Sequence, residues 1–188
     1  MKIQQITESL TEPYTLDTFH SDVTFGGKSK FGGKSGATAT FYTSEGNKYK
    51  IHAYKLGVTK AERDATKADM EREKEDEFWI PDFFDSTGGI WEVHFSMVDK
   101  VEDGKEKYTN AITGTGDAFR VFATIMKFLK ALKDQKDPSI VSIKSKTEEG
   151  NRTSLYTRMA KRYAPQMGYQ VRGVKTIGDK VRIELRQT

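Results

Sequence analysis

Apolar residues recur along this chain in two distinct rhythms. Residues 37–43 (ATATFYT) and 48–56 (KYKIHAYKL) alternate apolar and polar positions, with Ser44-Glu45-Gly46-Asn47 between them. A period of two broken by a Gly/Asn turn predicts a β-hairpin. Further strands are predicted at 90–98 (IWEVHFSMV) and 106–113 (EKYTNAIT), turned around Asp103-Gly104. Another is predicted at 139–145 (SIVSIKS), and a final pair at 169–176 and 180–186, turned by Gly178-Asp179. After Gly114-Thr115-Gly116-Asp117 the rhythm lengthens. Ala118, Phe122, Ile125, Leu129 and Leu132 fall on one side of a helix running to about Lys133, and Arg120, Lys127, Lys130 and Lys133 fall elsewhere. A second helix, with Asn151 as its N-cap, places Leu155, Tyr156, Met159 and Tyr163 on one side and Arg158, Lys161 and Arg162 on the other. Pro165 and Gly168 stop it.

Two regions lack either rhythm. Residues 1–36 are polar and Gly-punctuated and contain a near-perfect tandem repeat, FGGKSK at 25–30 and FGGKSG at 31–36. The GKS triplets are not a phosphate-binding P-loop. That loop needs Gly five residues before its Gly-Lys pair, and here Asp22 and Lys28 hold those positions. Residues 1–36 are therefore read as a flexible segment. Residues 59–77 (TKAERDATKADMEREKEDE) favour helix but offer almost no apolar positions, so they read as a charged helical insertion. Residues 37–188 form one mixed domain, α+β or α/β, with the order strand–strand–Gly loop–helix–strand–helix–strand–strand in its second half.

Composition narrows the chemistry. At 188 residues the chain has the size of one domain. With no cysteine, disulfides, thiolate metal sites, iron–sulfur clusters and thiol nucleophiles are excluded, and three scattered His (His20, His52, His94) argue against a His-rich metal site. No apolar run approaches membrane-span length, and the start, MKIQQITESL, has no apolar signal core, so a cytoplasmic protein is expected. The charge is asymmetric. Residues 1–100 carry 13 basic and 17 acidic side chains, net −4, whereas residues 101–188 carry 18 and 10, net +8. A basic half suits a phosphate-bearing ligand, either a phosphorylated cofactor or nucleic acid. Residues 151–188 alone are net +7, yet no aromatic-rich RNA-recognition motif accompanies them.

The junction between the 106–113 strand and the first helix carries the candidate chemistry. Unpaired N–H groups and the positive end of a helix dipole suit a pyrophosphate, and Gly114 and Gly116 allow close approach to the backbone. The Gly loop Gly114-Thr115-Gly116-Asp117-Ala118, followed by Asn151-Arg152-Thr153-Ser154-Leu155-Tyr156 through Gly168-Tyr169, resembles the signatures of the GNAT (Gcn5-related) acyltransferase superfamily, in particular divergent GNAT-like proteins of bacteriophages. The resemblance spans about residues 90–186.

This likeness implies a mostly antiparallel mixed sheet flanked by helices, with the two strands beside the central helix splayed to admit acetyl-CoA. It implies that Ala111, Ile112 and Thr113 pair with the pantetheine arm. The amides of Thr115, Gly116, Asp117 and Ala118, next to Gly114, hold the pyrophosphate, and Asn151 helps seat the cofactor. Tyr156 is implied as the acid that protonates the CoA thiolate, with Tyr163 as its alternative. Glu92 or His94 is the base that deprotonates an amine acceptor, with only one of the two turned inward. Ala111 stands where the superfamily usually has Gln or Arg, and Asp117 sets a carboxylate beside the phosphates. Both favour the alternative of an inactive GNAT-fold module that binds a host or virion protein. Nucleic-acid binding through the basic C-terminal half is the third expectation. For a phage-encoded chain, the cytoplasm is the host's.

Overall fold

The computed structural model describes residues 12–25, 34–56, 64, 88–102, 104–109, 118–146, 150–177 and 180–188. They form a mixed α+β domain. Eight strands make one mostly antiparallel sheet: β1 (Leu16–Phe25), β2 (Lys34–Tyr42), β3 (Lys48–Leu56), β4 (Ile90–Glu102), β5 (Lys105–Thr109), β6 (Ile140–Lys146), β7 (Tyr169–Ile177) and β8 (Lys180–Gln187). Two helices, α1 (Ala118–Lys136) and α2 (Gly150–Tyr163), complete it, with a 3-10 turn at Ala164–Met167 after α2. The strand order is β1-β2-β3-β4-β6-β8-β7, with β5 paired to β4. No described helix is long and apolar enough to cross a membrane.

The core follows from alternation. Ala37, Ala39 and Phe41 of β2, Tyr49, Ile51 and Ala53 of β3, and Trp91, Val93 and Phe95 of β4 share one face and join one buried cluster with Val141, Ile143, Ile183 and Leu185. The apolar stripe of α1, including Phe122, Ile125, Leu129 and Leu132, covers that face, and α2 adds Tyr156, Met159 and Ala160. Among the described residues, α1 and α2 therefore lie on the same side of the sheet.

Two expectations change. The segment read as flexible contains β1, which pairs antiparallel with β2 from Leu16↔Phe41 to Phe25↔Lys34. Register shifts between Leu16 and Thr18 and between His20 and Val23 break its period. Leu16 and Phe19 both pack on the core although three residues apart, so no alternation is visible in the sequence. Just upstream, the Tyr14 N–H donates to Thr124 Oγ1 at 2.8 Å and the Tyr14 ring stacks on Phe41, strapping the chain to α1. The charged insertion at about 59–77 lies, apart from position 64, outside the described residues.

The second change concerns the parallel pair. The strand beside β6 is β4, whereas the resemblance implied the strand that leads into α1. β4 and β6 run parallel from Ile90↔Ile140 to His94↔Lys144. At their start they are tied together, because the Gly89 carbonyl accepts from the N–H groups of Ser139 (3.0 Å) and Ile140 (3.2 Å). Past His94 they part. β4 turns that edge to β5 from Met97↔Thr109 to Glu102↔Lys105, while β6 stays with β8. Because α1 ends three residues before β6 begins, its N-terminus lies toward the end where β4 and β6 separate.

Candidate functional site

The side chains that carry chemistry gather on the sheet face away from α1 and α2, at the point of separation. Glu92 and His94 are two apart in β4, so both project to this face, and the expectation that only one could turn inward is corrected. His94 Nε2 lies 2.6 Å from Glu92 Oε1. Lys144, opposite His94 on β6, places its ammonium 2.7 Å from the other carboxylate oxygen. Glu92 is only 6% exposed. Burial alone pushes a carboxyl pKa up, but here the His94 hydrogen bond and the Lys144 charge outweigh it and hold Glu92 down at about 2. It is therefore an anchored carboxylate at neutral pH. His94, with a 37% exposed side chain, is the partner that reaches solvent. When its Nε2–H donates to Glu92, its Nδ1 is left as an acceptor for an incoming proton.

Neighbouring strands add rings and cations. His52 stands opposite His94 in the β3–β4 ladder, and Tyr54 stands opposite Glu92. The Tyr54 ring meets the His94 ring edge-on at 5.8 Å. His52 lies parallel to Tyr54 at 6.4 Å and meets Tyr108 of β5 edge-on at 6.2 Å. Burial, reinforced by the charge of Lys50 and by His94, lowers the His52 pKa to about 4. Glu106 accepts from Lys48 at 2.8 Å, from Lys50 and from the Tyr108 hydroxyl. The two lysines hold its carboxyl at about 2, and burial together with Glu106 pushes the Tyr108 phenol up to about 12.

The other expected site residues lie elsewhere. Ala111, Ile112, Thr113, Gly114, Thr115, Gly116 and Asp117 are outside the described residues. Ala118 is the first residue of α1 and is partly buried. Asn151 lies one residue inside α2, which already begins at Gly150. Tyr156 is 1% exposed on the helix side, stacked on Phe122 at 5.1 Å and edge-on to Phe95 at 6.1 Å. The sheet therefore separates Tyr156 from Glu92 and His94. Tyr163 is partly buried and lines a groove of about 240 Å³ with Met126, Lys127, Lys130 and Met167.

Sequence reading missed Lys144, His52, Tyr54 and Tyr108. Their one signal is cross-strand register, which two separated alternating segments do not reveal until they are paired. Comparison of the chain with protein-family models, with curated proteins and with solved structures finds no match.

Proposed function

We propose that this chain is a GNAT-fold acyl-CoA-dependent N-acyltransferase of the divergent bacteriophage kind, acting on an amine. One observation carries the reading: β4 and β6 begin side by side and part directly beyond a carboxylate–imidazole pair. Ligands of mixed sheets favour the carboxyl ends of parallel strands where the ladder divides. The first turn of α1 points toward that end and contains no acidic residue, so it is compatible with an anionic diphosphate.

Acyl-CoA, when bound, supplies the thioester. His94 would accept the proton that the acceptor amine gives up as it takes the acyl group. Glu92 fixes the orientation of the imidazole, and Lys144 helps keep Glu92 ionised. Tyr156 is sealed in the core, so in this reading water, and not that phenol, would supply the proton to the sulfur.

Acetyl-CoA at about 100 times its dissociation constant should stabilise the fold by ~2.7 kcal/mol, raising Tm by about 5 °C or more. His94→Gln should cut turnover about 100-fold or more while keeping that shift. A flat melting curve would sink the proposal. The burial of Tyr156 favours a second reading, an inactive GNAT-fold module that binds a host or virion protein. A CoA-induced shift without transfer to any of a panel of amines would select it. Tyr156→Phe should leave turnover unchanged; a drop would return that phenol to the mechanism.

A further inference from the structure

We propose that the sheet face opposite α1 and α2 binds single-stranded nucleic acid, with the rings of Tyr108, His52 and Tyr54 as a stacking platform and Lys48 and Lys50 as phosphate contacts. This does not depend on the acyltransferase reading. It also differs from binding through the basic C-terminal half, because strands β3 and β5 supply the surface.

Four observations carry it. The rings form a continuous chain over three adjacent strands, each within 6.4 Å of the next: Tyr108 to His52, His52 to Tyr54, Tyr54 to His94. Rings spread on a sheet face accept unstacked bases, whose π-faces are available only in single strands. Tyr108, 47% exposed, is the open end of the platform, His52 and Tyr54 are partly buried behind it, and among the described residues no helix lies over this face. Two of its rings remain uncharged at neutral pH, because His52 titrates at about 4 and Tyr108 at about 12.

The charges fit a polyanion as well. Lys48, Lys50 and Lys144 outnumber the two carboxylates among them, Glu92 and Glu106. Glu92 is nearly buried, and Glu106 is engaged by both lysines and by the Tyr108 hydroxyl. An incoming strand therefore meets ammonium groups and ring faces, while the carboxylates hold the lysines and Tyr108 in place.

The test is fluorescence anisotropy of the full chain with labelled dT20 at low salt. Binding at micromolar protein is expected, weakening steeply as salt rises. Tyr108→Ala should weaken it about tenfold, because one stacking ring is removed, whereas Tyr108→Phe, which keeps the ring, should stay within about twofold. Tyr108 lies on the sheet margin, so the alanine variant should fold, and its melting curve checks this. A 20-base-pair duplex should bind about tenfold more weakly than dT20, since its bases are not exposed. Three outcomes would overturn the proposal. One is absence of dT20 binding by the unmodified chain. Another is equal affinity of Tyr108→Ala and the parent, with binding lost instead in a Lys127→Ala/Lys130→Ala variant of the helix side. The third is competition by polyglutamate as strong as by unlabelled dT20, which would mark the surface as a site for acidic protein.

Discussion

Gly88→Ala is expected to destabilise the fold by about 3 kcal/mol or more, a large part of the total stability of an average domain. A Cβ at this position would lie 1.9 Å from the Asp137 carbonyl oxygen and 2.8 Å from the Ser139 nitrogen. Both obstacles are backbone, so no rotamer change relieves the overlap. The chain would have to separate the start of β4 from the α1–β6 connection. That would weaken the two hydrogen bonds accepted by Gly89 and the bond of 3.1 Å from the Trp91 indole N–H to the Gly88 carbonyl. These contacts tie the closed end of the β4–β6 pair, so the same change should disorder the Glu92–His94–Lys144 cluster at its open end. Urea unfolding should show the midpoint falling with little change in slope. A midpoint unchanged from the parent would mean that the two segments are not in contact.

Acid should unfold the protein in two overlapping stages. His52 is depressed from 6.5 to about 4 by burial, by Lys50 and by His94. The unfolded chain therefore binds a proton at that residue which the folded one refuses, and stability present above pH 6.5 is lost as the pH falls toward 4. Glu92 is depressed from 4.5 to about 2 because, against the cost of burial, His94 and Lys144 favour its charged form. Its contribution is intact above pH 4.5 and is lost as the pH falls toward 2. Each contributes on the order of 2–3 kcal/mol, so together they can consume most of the stability of an average domain by pH 3. Urea midpoints measured from pH 7.5 down to 3 should trace this fall. In His52→Gln the descent between pH 6.5 and 4 should flatten while the one below 4.5 persists. In Glu92→Gln the reverse holds, from a lower starting stability because Lys144 loses its counter-charge. A parent profile flat from pH 7.5 to 5 would show that His52 titrates normally.

Elements with an unbroken rhythm were legible in the sequence. The stripe from Phe122 to Leu132 predicted the buried side of α1, and the alternation in 48–56 predicted the burial of Tyr49, Ile51 and Ala53. β1 was not legible, because its irregular register places Leu16 and Phe19 on one face at a helix-like spacing. Glu92 and His94 could be named as candidates from their residue types. Lys144, His52 and Tyr54 could not, since each lies in a different ladder position fixed only when β3, β4 and β6 align. Tyr156 illustrates the opposite error. A Leu-Tyr pair on a helix satisfies a catalytic signature and an apolar stripe equally well, and only packing against Phe122 and Phe95 distinguishes them.

The outermost position of β1 in the sheet has a consequence for behaviour at high concentration. A straight terminal strand would offer its free amides and carbonyls as a template on which a second molecule could extend the ladder. The two offsets in β1 bend that template out of register, and Asp17, His20 and Asp22 line it with polar side chains. Copies of the chain should therefore resist end-to-end polymerisation, and straightening β1 by deleting its offset residues should invite fibrils.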